Sequence, residues 1–340
     1  MENKKQILGQ FFTKNNFWLR KHVFDFIKST NSKIAFDPFA GGGDLLKVAK
    51  EIGFKKTIGL DVDLELNWKF NDSLLDIPII KNSIIITNPP YLTNYSAKRK
   101  KIYKQVANYF ESSKFNDLYQ IAIERSLKNN FGVMIIPETF INSKFPKHRM
   151  KSITIIEGLM FEDTEIPTCV VCFDNKIKNY NKILLYKNDK LLGDLDKYEK
   201  MRFKPTKNIP IKFNAPHGKI ALRAVDTTSI ERPISFMKRE ELNYSLSKIK
   251  QSSRLITLID INIKEENIEK IIEKSNKLLQ EFRIKTDDVL LSPFKGNKKN
   301  GERRRRLDYL TARAILEKAY DSLIYKKQMN INSLLYEKNK

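Results

Sequence analysis

The sequence predicts an α/β domain with a mostly parallel sheet, followed by a second domain of mixed α+β type. In the first half, short and almost continuously apolar strands alternate with helices, as in a parallel sheet that is covered on both faces. Beyond about residue 176 this alternation stops in a stretch rich in lysine and asparagine. A length of 340 residues also favours two domains. We therefore expect domains at 1–176 and 177–340.

The spacing of apolar residues predicts the individual elements. In the first half, helices are expected at 17–28, 44–53 and 115–130, and strands at 33–39, 57–63, 83–91, 132–140 and 168–174. In the second half, strands are expected at 219–225, 255–263 and 288–292, and helices at 265–283 and 304–325. A loop is expected at 294–306, just before the last helix.

The composition limits the partners of the chain. Lys+Arg number 63 against 40 for Asp+Glu, which gives a net charge of +23 and favours a polyanion such as nucleic acid, although a general lysine bias of the composition is the alternative. No apolar run reaches the ~18–20 residues that span a bilayer, so we expect a cytoplasmic protein. Cys169 and Cys172 lie in an apolar strand without a second ligand pair, so a metal site is not expected.

Carboxylates follow the carboxyl ends of the predicted strands. The first strand ends in a turn of glycines, which lets a ligand approach the backbone where parallel sheets bind cofactors. The aspartate at the end of the second strand can accept both hydroxyls of a ribose, and a third aspartate can accept an adenine amino group. Each residue alone is compatible with a turn or cap, but their order favours a nucleoside site. The candidates are Asp37, Ala40, Gly41, Gly43, Asp61 and Asp72.

The segment Asn88-Pro89-Pro90-Tyr91 ends the next apolar strand. The two prolines have no N–H group and keep the chain extended, so that the Pro89 carbonyl can point outward beside the Asn88 side-chain oxygen. Together these two acceptors can bind both hydrogens of an exocyclic amino group, while Tyr91 offers a ring for stacking a base. This pattern favours an amine nucleophile on a heteroaromatic ring.

Taken in order, these motifs resemble the S-adenosylmethionine-dependent DNA amino-methyltransferases of the γ class, which methylate adenine N6. DPFAGGG, GLDVD and NDSLL look like the cofactor motifs, and TNPPY looks like the catalytic motif. GQFFT looks like the N-terminal cofactor motif, which implies Gln10, Phe12 and Thr13 near the cofactor. GLMFEDTEIPTCVVCF resembles the segment whose aromatic residue packs against the target adenine, here Phe161. The resemblance covers residues 7–173.

The resemblance implies a Rossmann-like methyltransferase domain followed by a target-recognition domain. The implied enzyme is a site-specific DNA adenine-N6 methyltransferase that uses S-adenosylmethionine, releases S-adenosylhomocysteine and needs no metal. The adenine would be rotated out of the duplex into a pocket formed by Asn88, Pro89, Tyr91 and Phe161. Its N6 would then attack the methyl group directly. A monomer that acts on double-stranded DNA is expected, with a cognate restriction endonuclease as a possible partner.

Two basic runs are candidate phosphate contacts. Such runs are usually solvated surface, but in a DNA enzyme contact with phosphate becomes the favoured interpretation. The first run follows the catalytic motif, where a loop near the active site is expected, and the second lies in the predicted loop at 294–306. The candidates are Lys98, Arg99, Lys100, Lys101, Lys298, Lys299, Arg303, Arg304, Arg305 and Arg306. Base-reading residues are expected within 180–340.

Other functions use similar motifs. An RNA adenine-N6 methyltransferase and a release-factor glutamine methyltransferase can both carry N-P-P-Y, but the glutamine enzyme would place a helical domain before the cofactor motif. Cytosine-N4 enzymes more commonly have serine at the position of Asn88. A DNA-binding subunit on an inactive methyltransferase fold is the alternative outside enzymes, and the intact motifs argue against it.

Overall fold

The computed structural model describes residues 16–157, 166–242 and 255–338, with the side chains of residues 324–338 excepted. The chain divides into two compact units between Lys197 and Tyr198. The division predicted at residue 176 lies earlier, before two strands that belong to the sheet of the first unit. The units are a structural observation, whereas the functional boundary between domains stays a prediction.

The first unit is built on a nine-stranded, mostly parallel sheet with the order β3-β2-β1-β4-β5-β7-β6-β8-β9. Strand β7 runs antiparallel to both β5 and β6, and β9 runs antiparallel to β8. The strands are β1 Ile34–Asp37, β2 Lys56–Asp61, β3 Lys69–Phe70, β4 Ser83–Thr87, β5 Gly132–Pro137, β6 Met150–Ile155, β7 Thr168–Phe173, β8 Leu184–Lys187 and β9 Lys190–Asp194. The predicted fold class is confirmed.

The helices of this unit are α1 Lys21–Ser29, α2 Asp44–Glu51, α3 Asn94–Arg99, α4 Tyr103–Glu111 and α5 Leu118–Ser126, and the helix α6 Leu195–Met201 spans the division between the units. Three of these six helices were predicted, and α3, α4 and α6 were not. Every residue of β4, β5 and β7 is buried, because helices or loops cover both faces of a central strand. The apolar stripes of α1 and α2 pack into the same core as Ile84, Ile86 and Val133.

The order of the strands positions the functional site. Strands β2 and β3 lie on one side of β1, whereas β4 and β5 lie on the other. In open parallel sheets such a reversal opens a crevice outside the carboxyl ends of the strands. The segments after β1, β2 and β4 carry the predicted motifs, so the topology brings these motifs to one crevice.

The second unit is mixed α+β, as predicted. Its antiparallel sheet has the order β10-β13-β11-β12, with strands β10 Ile211–Phe213, β11 Ile220–Arg223, β12 Ser235–Lys238 and β13 Ile256–Ile261. A two-stranded hairpin follows, formed by β14 Ser292–Asn297 and β15 Arg303–Arg306, and the helices are α7 Ile268–Thr286 and α8 Tyr309–Lys338. Asn276 on α7 exchanges two 2.8 Å hydrogen bonds with the backbone of Phe236, which fastens α7 to β12.

Three predictions for the second unit are wrong. Residues 287–290 form a turn rather than a strand, because Asp287 and Asp288 adopt left-handed backbone angles after α7. The segment 294–306 is a hairpin rather than a loop, and the last helix begins at Tyr309 rather than at residue 304. Among the described residues, no helix is long and apolar enough to cross a membrane.

Candidate active site

A cavity of about 320 Å³ lies at the carboxyl ends of β1, β2 and β4. It is lined by most of the predicted cofactor residues that the structure describes and by part of the N-P-P-Y segment. Apolar and aromatic side chains form much of its wall, and carboxylates line it from three successive segments. The lining residues include Asp37, Phe39, Ala40, Gly41, Asp61, Leu66, Asp72, Leu74, Asn88, Pro90, Gln105, Val106, Tyr109 and Leu118.

The glycine turn between β1 and α2 is held by Asp61. The φ angles of Gly41 and Gly43 are 50° and 82°, a region that glycine adopts without strain. One carboxylate oxygen of Asp61 accepts the Gly41 N–H at 2.8 Å, and the other accepts the Asp63 N–H at 2.9 Å. Since each carboxylate oxygen has about two acceptor sites, Asp61 can still accept hydrogen bonds from a ligand.

Trp68 completes this turn, and the sequence analysis missed it. Its indole Nε1–H donates to the Gly41 carbonyl at 2.8 Å. The ring lies so close to β2 that a Cβ atom on Gly59 would come within 2.5 Å of it, and one on Gly43 within 2.9 Å. Trp68 thus braces the backbone that lines the cavity. No local pattern marks it, because its role depends on how the segment after β2 folds back.

Asp37 is 1% exposed at the end of β1. Its Oδ1 accepts the Thr87 hydroxyl at 2.5 Å and the Phe39 N–H at 3.0 Å. Burial raises the pKa of Asp37 to about 7 although both hydrogen bonds favour the charged form. The carboxyl group therefore changes charge near neutral pH.

Asp72 and Tyr109 meet at the wall of the cavity. The Tyr109 hydroxyl donates to Asp72 Oδ2 at 2.9 Å, and the Leu74 N–H lies 3.3 Å from Asp72 Oδ1. Tyr109 lies on α4, a helix that was not predicted, and Gln105 and Val106 of the same helix also line the cavity. Part of the cavity wall is therefore supplied by α4.

The N-P-P-Y segment presents Asn88 and Pro90 to the cavity. The Tyr91 hydroxyl lies 2.5 Å from Asn88 Oδ1 and donates to the Ile135 carbonyl at 2.8 Å. The Tyr91 ring packs against the hydrophobic core, and its burial raises the pKa of the phenol well above the ordinary value. Tyr91 thus links Asn88 to β5.

Comparison with known families agrees with this arrangement. Residues 11–166 match the family described as Eco57I restriction-modification methylase. This segment is therefore similar to a restriction-modification methylase domain. No curated protein matches the chain.

Solved structures with some likeness to the chain include three restriction-modification proteins. The methyltransferase subunit of a type I system from Streptococcus thermophilus is 14% identical over 56% of this chain and 52% of its own, with a TM-score of 0.37. The type IIG restriction endonuclease BpuSI is 15% identical over 56% of this chain and 29% of its own, with a TM-score of 0.35. The EcoKI M protein is 13% identical over 82% of this chain and 72% of its own, with a TM-score of 0.30. The chain thus spans about half of the first of these proteins and less than a third of the second. Because these TM-scores lie below 0.5, we base no argument on them.

The lining of this cavity fits S-adenosylmethionine, the cofactor that the sequence motifs imply. The glycine turn exposes backbone for close approach, the carboxylates of Asp61 and Asp72 keep acceptor capacity, and apolar side chains also line the cavity. Asp61 can hold ribose hydroxyls and Asp72 an amino group. Among the described residues, no group of His, Cys, Asp and Glu side chains has the geometry of a metal site.

Several predicted site residues are not placed at the cavity. Pro89 and Tyr91 do not line it, although they flank Pro90, and neither does Gly43. Gln10, Phe12, Thr13 and Phe161 lie outside the described residues, so their roles stay predictions.

The basic run after the N-P-P-Y segment belongs to α3 and its C-terminal turn, not to the expected loop. Lys98 and Arg99 end the helix, Lys100 caps it, and Lys101 has a left-handed φ of 60°. All four side chains are exposed. They lie just before α4, which lines the cavity.

The second basic run differs from the expectation for solvated cations. Strand β15 alternates, so that Arg303 and Arg305 are 7% and 1% exposed, whereas Arg304 and Arg306 are partly exposed. The Arg304 guanidinium lies 4.9 Å from the centre of the Phe294 ring, and its Nε donates to the Asp226 carbonyl at 2.8 Å. Burial removes Arg303 and Arg305 from the surface cations that can meet phosphate.

The sequence analysis also missed Asp226, a buried acid that organises this hairpin. Both of its oxygens accept from the Arg283 guanidinium at 2.9 Å, and Oδ2 also accepts the Arg305 N–H at 3.1 Å. Burial acts to raise the pKa of Asp226, but Arg283 outweighs it and the pKa is lowered. Lys298, predicted to bind DNA, pairs with Glu302 at 3.1 Å and is only 11% exposed. Lys299 is exposed.

Proposed function

We propose that the chain is a site-specific DNA adenine-N6 methyltransferase. One observation carries this proposal: Asn88, an amide at the end of β4, lines the same cavity as Asp37, Asp61 and Asp72. An acceptor for an amino group thus lies beside a site suited to a nucleoside cofactor. Methyl transfer to an amine needs both at one place.

The residues of the chain would position the two reactants rather than form a covalent intermediate. Asp61, Asp72 and the glycine turn hold S-adenosylmethionine, which supplies an electrophilic methyl group when bound. The Asn88 side-chain oxygen and the Pro89 carbonyl accept the two hydrogens of the target amino group and free its lone pair. Holding reactants in line accounts for much of the rate gain in such reactions.

Tyr91 supports Asn88 in this scheme. Its hydroxyl lies 2.5 Å from Asn88 Oδ1 and 2.8 Å from the Ile135 carbonyl, and it can donate to either oxygen. These contacts tie the Asn88 side chain to β5, which would hold the amide in place for the target amine.

The substrate we propose is an adenine rotated out of double-stranded DNA, with Phe161 stacking on it. The net charge of +23 and the exposed run Lys98–Lys101 support a polyanionic substrate. We assign target recognition to residues 177–340. The enzyme would act in the cytoplasm as a monomer and as the modification partner of a cognate restriction endonuclease.

Sequencing of modified DNA tests this function. The chain is expressed in a methylase-free bacterium, beside Asn88→Ala and, as a matched control, Asn108→Ala, an exposed position on α4. We expect N6-methyladenine at one short motif with the wild type and Asn108→Ala. Asn88→Ala should lose about 10²–10³ in rate, the range for removing one preorganised polar group, yet still bind S-adenosylhomocysteine.

Three outcomes contradict the proposal. Near-normal methylation by Asn88→Ala would remove that residue from catalysis. N4-methylcytosine in place of N6-methyladenine would change the target base. Unmodified DNA together with methylated adenine in the RNA of the same cells would change the substrate.

A further inference from the structure

The wall that α4 adds to the cavity contains a tyrosine that the cofactor motifs do not include. Tyr109 is partly buried on α4 and lines the cavity beside Asp72. The helix is anchored by Val106 and Phe110, which are 3% and 6% exposed. Tyr109 is therefore presented from a packed element rather than from a free surface.

The backbone of Asp72 is fixed independently of Tyr109. The Asp72 carbonyl accepts the N–H groups of Leu75 and Asp76, both at 3.1 Å, in a tight turn. Arg125 donates to the carbonyl of Leu74 at 3.4 Å, which adds a contact to the same turn. These contacts hold the main chain of Asp72, but they do not orient its carboxylate.

Two contacts restrain the Asp72 carboxylate. The Leu74 N–H lies 3.3 Å from Oδ1, a long hydrogen bond, and the Tyr109 hydroxyl donates to Oδ2 at 2.9 Å. Of the two, the tyrosine contact has the better length. A carboxylate has about four acceptor sites, so about two stay available to a ligand in the cavity.

We propose that Tyr109 is a positioning residue that sets the base specificity of the cofactor site. Its hydroxyl holds the Asp72 carboxylate so that the free acceptor sites meet the exocyclic amino group of the cofactor's adenine. This inference rests on the proposed function, because it takes S-adenosylmethionine as the ligand. Burial, and then the Asp72 carboxylate, raise the pKa of the Tyr109 phenol, so it remains a donor.

A pair of ligands separates orientation from packing. S-adenosylhomocysteine carries the amino group, whereas S-inosylhomocysteine carries a carbonyl oxygen there, which a carboxylate repels. A site built around an amino group rejects an analogue that lacks it. The dissociation constant of S-inosylhomocysteine divided by that of S-adenosylhomocysteine therefore reports the orientation of Asp72. A general loss of packing weakens the binding of both ligands alike and leaves this ratio unchanged.

Calorimetric titration of the full chain measures this ratio for the wild type, Tyr109→Phe and Tyr103→Phe. Tyr103→Phe removes the same atom from the same helix, and its ring contacts Lys98 and Phe110 instead of the cavity. Tyr109→Phe should weaken S-adenosylhomocysteine by about three- to tenfold, the range for one hydrogen bond, and change S-inosylhomocysteine by less than about twofold. Tyr103→Phe should bind both ligands like the wild type.

Asp72→Asn tests whether Tyr109 acts through Asp72. The amide that replaces the Asp72 carboxylate can donate to the carbonyl oxygen of S-inosylhomocysteine. This variant should therefore prefer S-adenosylhomocysteine less strongly than the wild type does, which reduces the ratio of the dissociation constants. Adding Tyr109→Phe to Asp72→Asn should then leave the ratio unchanged, since a residue that acts through a partner has no separate effect once the partner is altered.

The outcomes distinguish a failure of this inference from a failure of the proposed function. An unchanged ratio in Tyr109→Phe, with both ligands at wild-type affinity or both weakened equally, would overturn the positioning role and leave the function standing. If the wild-type protein bound S-adenosylhomocysteine no more tightly than S-inosylhomocysteine, Asp72 would have no role in adenine recognition. A wild-type protein that binds neither ligand would overturn the cofactor assignment and the inference together.

Discussion

Asp37 combines deep burial with a charge that can change near neutral pH. Its carboxyl group accepts hydrogen bonds from Thr87 and the Phe39 backbone, which favour the charged form, but burial outweighs them and raises the pKa to about 7. The group lines the cavity that we assign to the cofactor. A cation placed beside it would favour the carboxylate and release a proton.

We therefore predict that the affinity for S-adenosylhomocysteine, which carries an ammonium group, rises with pH. A ligand that prefers the carboxylate binds more weakly below pH 7, where Asp37 is protonated, so affinity should increase by about three- to tenfold between pH 6 and 8. Calorimetry in buffers of different ionisation enthalpy measures both the affinity and the proton release. Asp37→Asn should flatten the profile, and Asp25→Asn on α1 should keep it.

The same pKa shift has a stability consequence of defined sign. A folded-state pKa raised from 3.8 to about 7 means that the folded chain binds the proton more tightly. The protonated Asp37 therefore stabilises the folded state. This contribution is fully present below the unfolded-state pKa of 3.8, and it is lost as the pH rises through the folded-state pKa of about 7. Asp37→Asn should thus lose less stability than the wild type between pH 5 and 8, and a parallel loss in both would contradict the shift.

At the scale of elements, β2 and the glycine turn are joined by one indole ring. Trp68 lies over Gly59 and Gly43 and donates to the Gly41 carbonyl. Because the ring occupies the space that a side chain on β2 would take, the absence of a Cβ atom at Gly59 is a packing requirement. Its backbone angles are not the reason, since Gly59 is not among the glycines with positive φ.

We predict that Gly59→Ala displaces Trp68. A Cβ atom would lie 2.5 Å from the ring, and such overpacking costs about 1–3 kcal/mol. Cofactor affinity should fall as well, because the displaced indole no longer holds the glycine turn. Denaturant unfolding and the fluorescence of Trp68 in a Trp18→Phe background, which isolates one of the two tryptophans, measure both effects. In a Trp68→Ala background the substitution should cost little, and an equal cost there would contradict this account.

Elements also mark where prediction from sequence succeeded and where it could not. Asp37, Gly41, Asp61, Asp72, Asn88 and Pro90 were found because parallel strands bring their carboxyl ends to one edge, so that motif order implies proximity. Trp68 and Tyr109 come from segments whose packing has no local signature. The run Arg303–Arg306 consists of identical residues, so its alternating burial in β15 leaves no alternation in the sequence. Asp226 likewise gains its partners only through folding.

At the scale of the whole molecule, the net charge of +23 requires a distinction between cations that are exposed and cations that are used internally. Arg283, Arg303 and Arg305 are largely buried, and Arg283 balances Asp226 within the second unit. Lys98, Arg99 and Lys100 are exposed beside the helix that walls the cavity. Only the exposed cations can release counterions from DNA.

Salt dependence of DNA binding tests that distinction. Replacing Lys98, Arg99 and Lys100 by glutamine should weaken binding and reduce the slope of log K against log [salt] by about 2–3, since each phosphate contact contributes about 0.9. The matched control replaces three exposed lysines: Lys50 in the last turn of α2, and Lys55 and Lys56 at the amino-terminal end of β2, away from the cavity at its carboxyl end. The control should keep the wild-type slope. Equal slopes for the two triple variants would mean that the run after the N-P-P-Y segment is ordinary solvated surface, and that the phosphate contacts lie elsewhere on the chain.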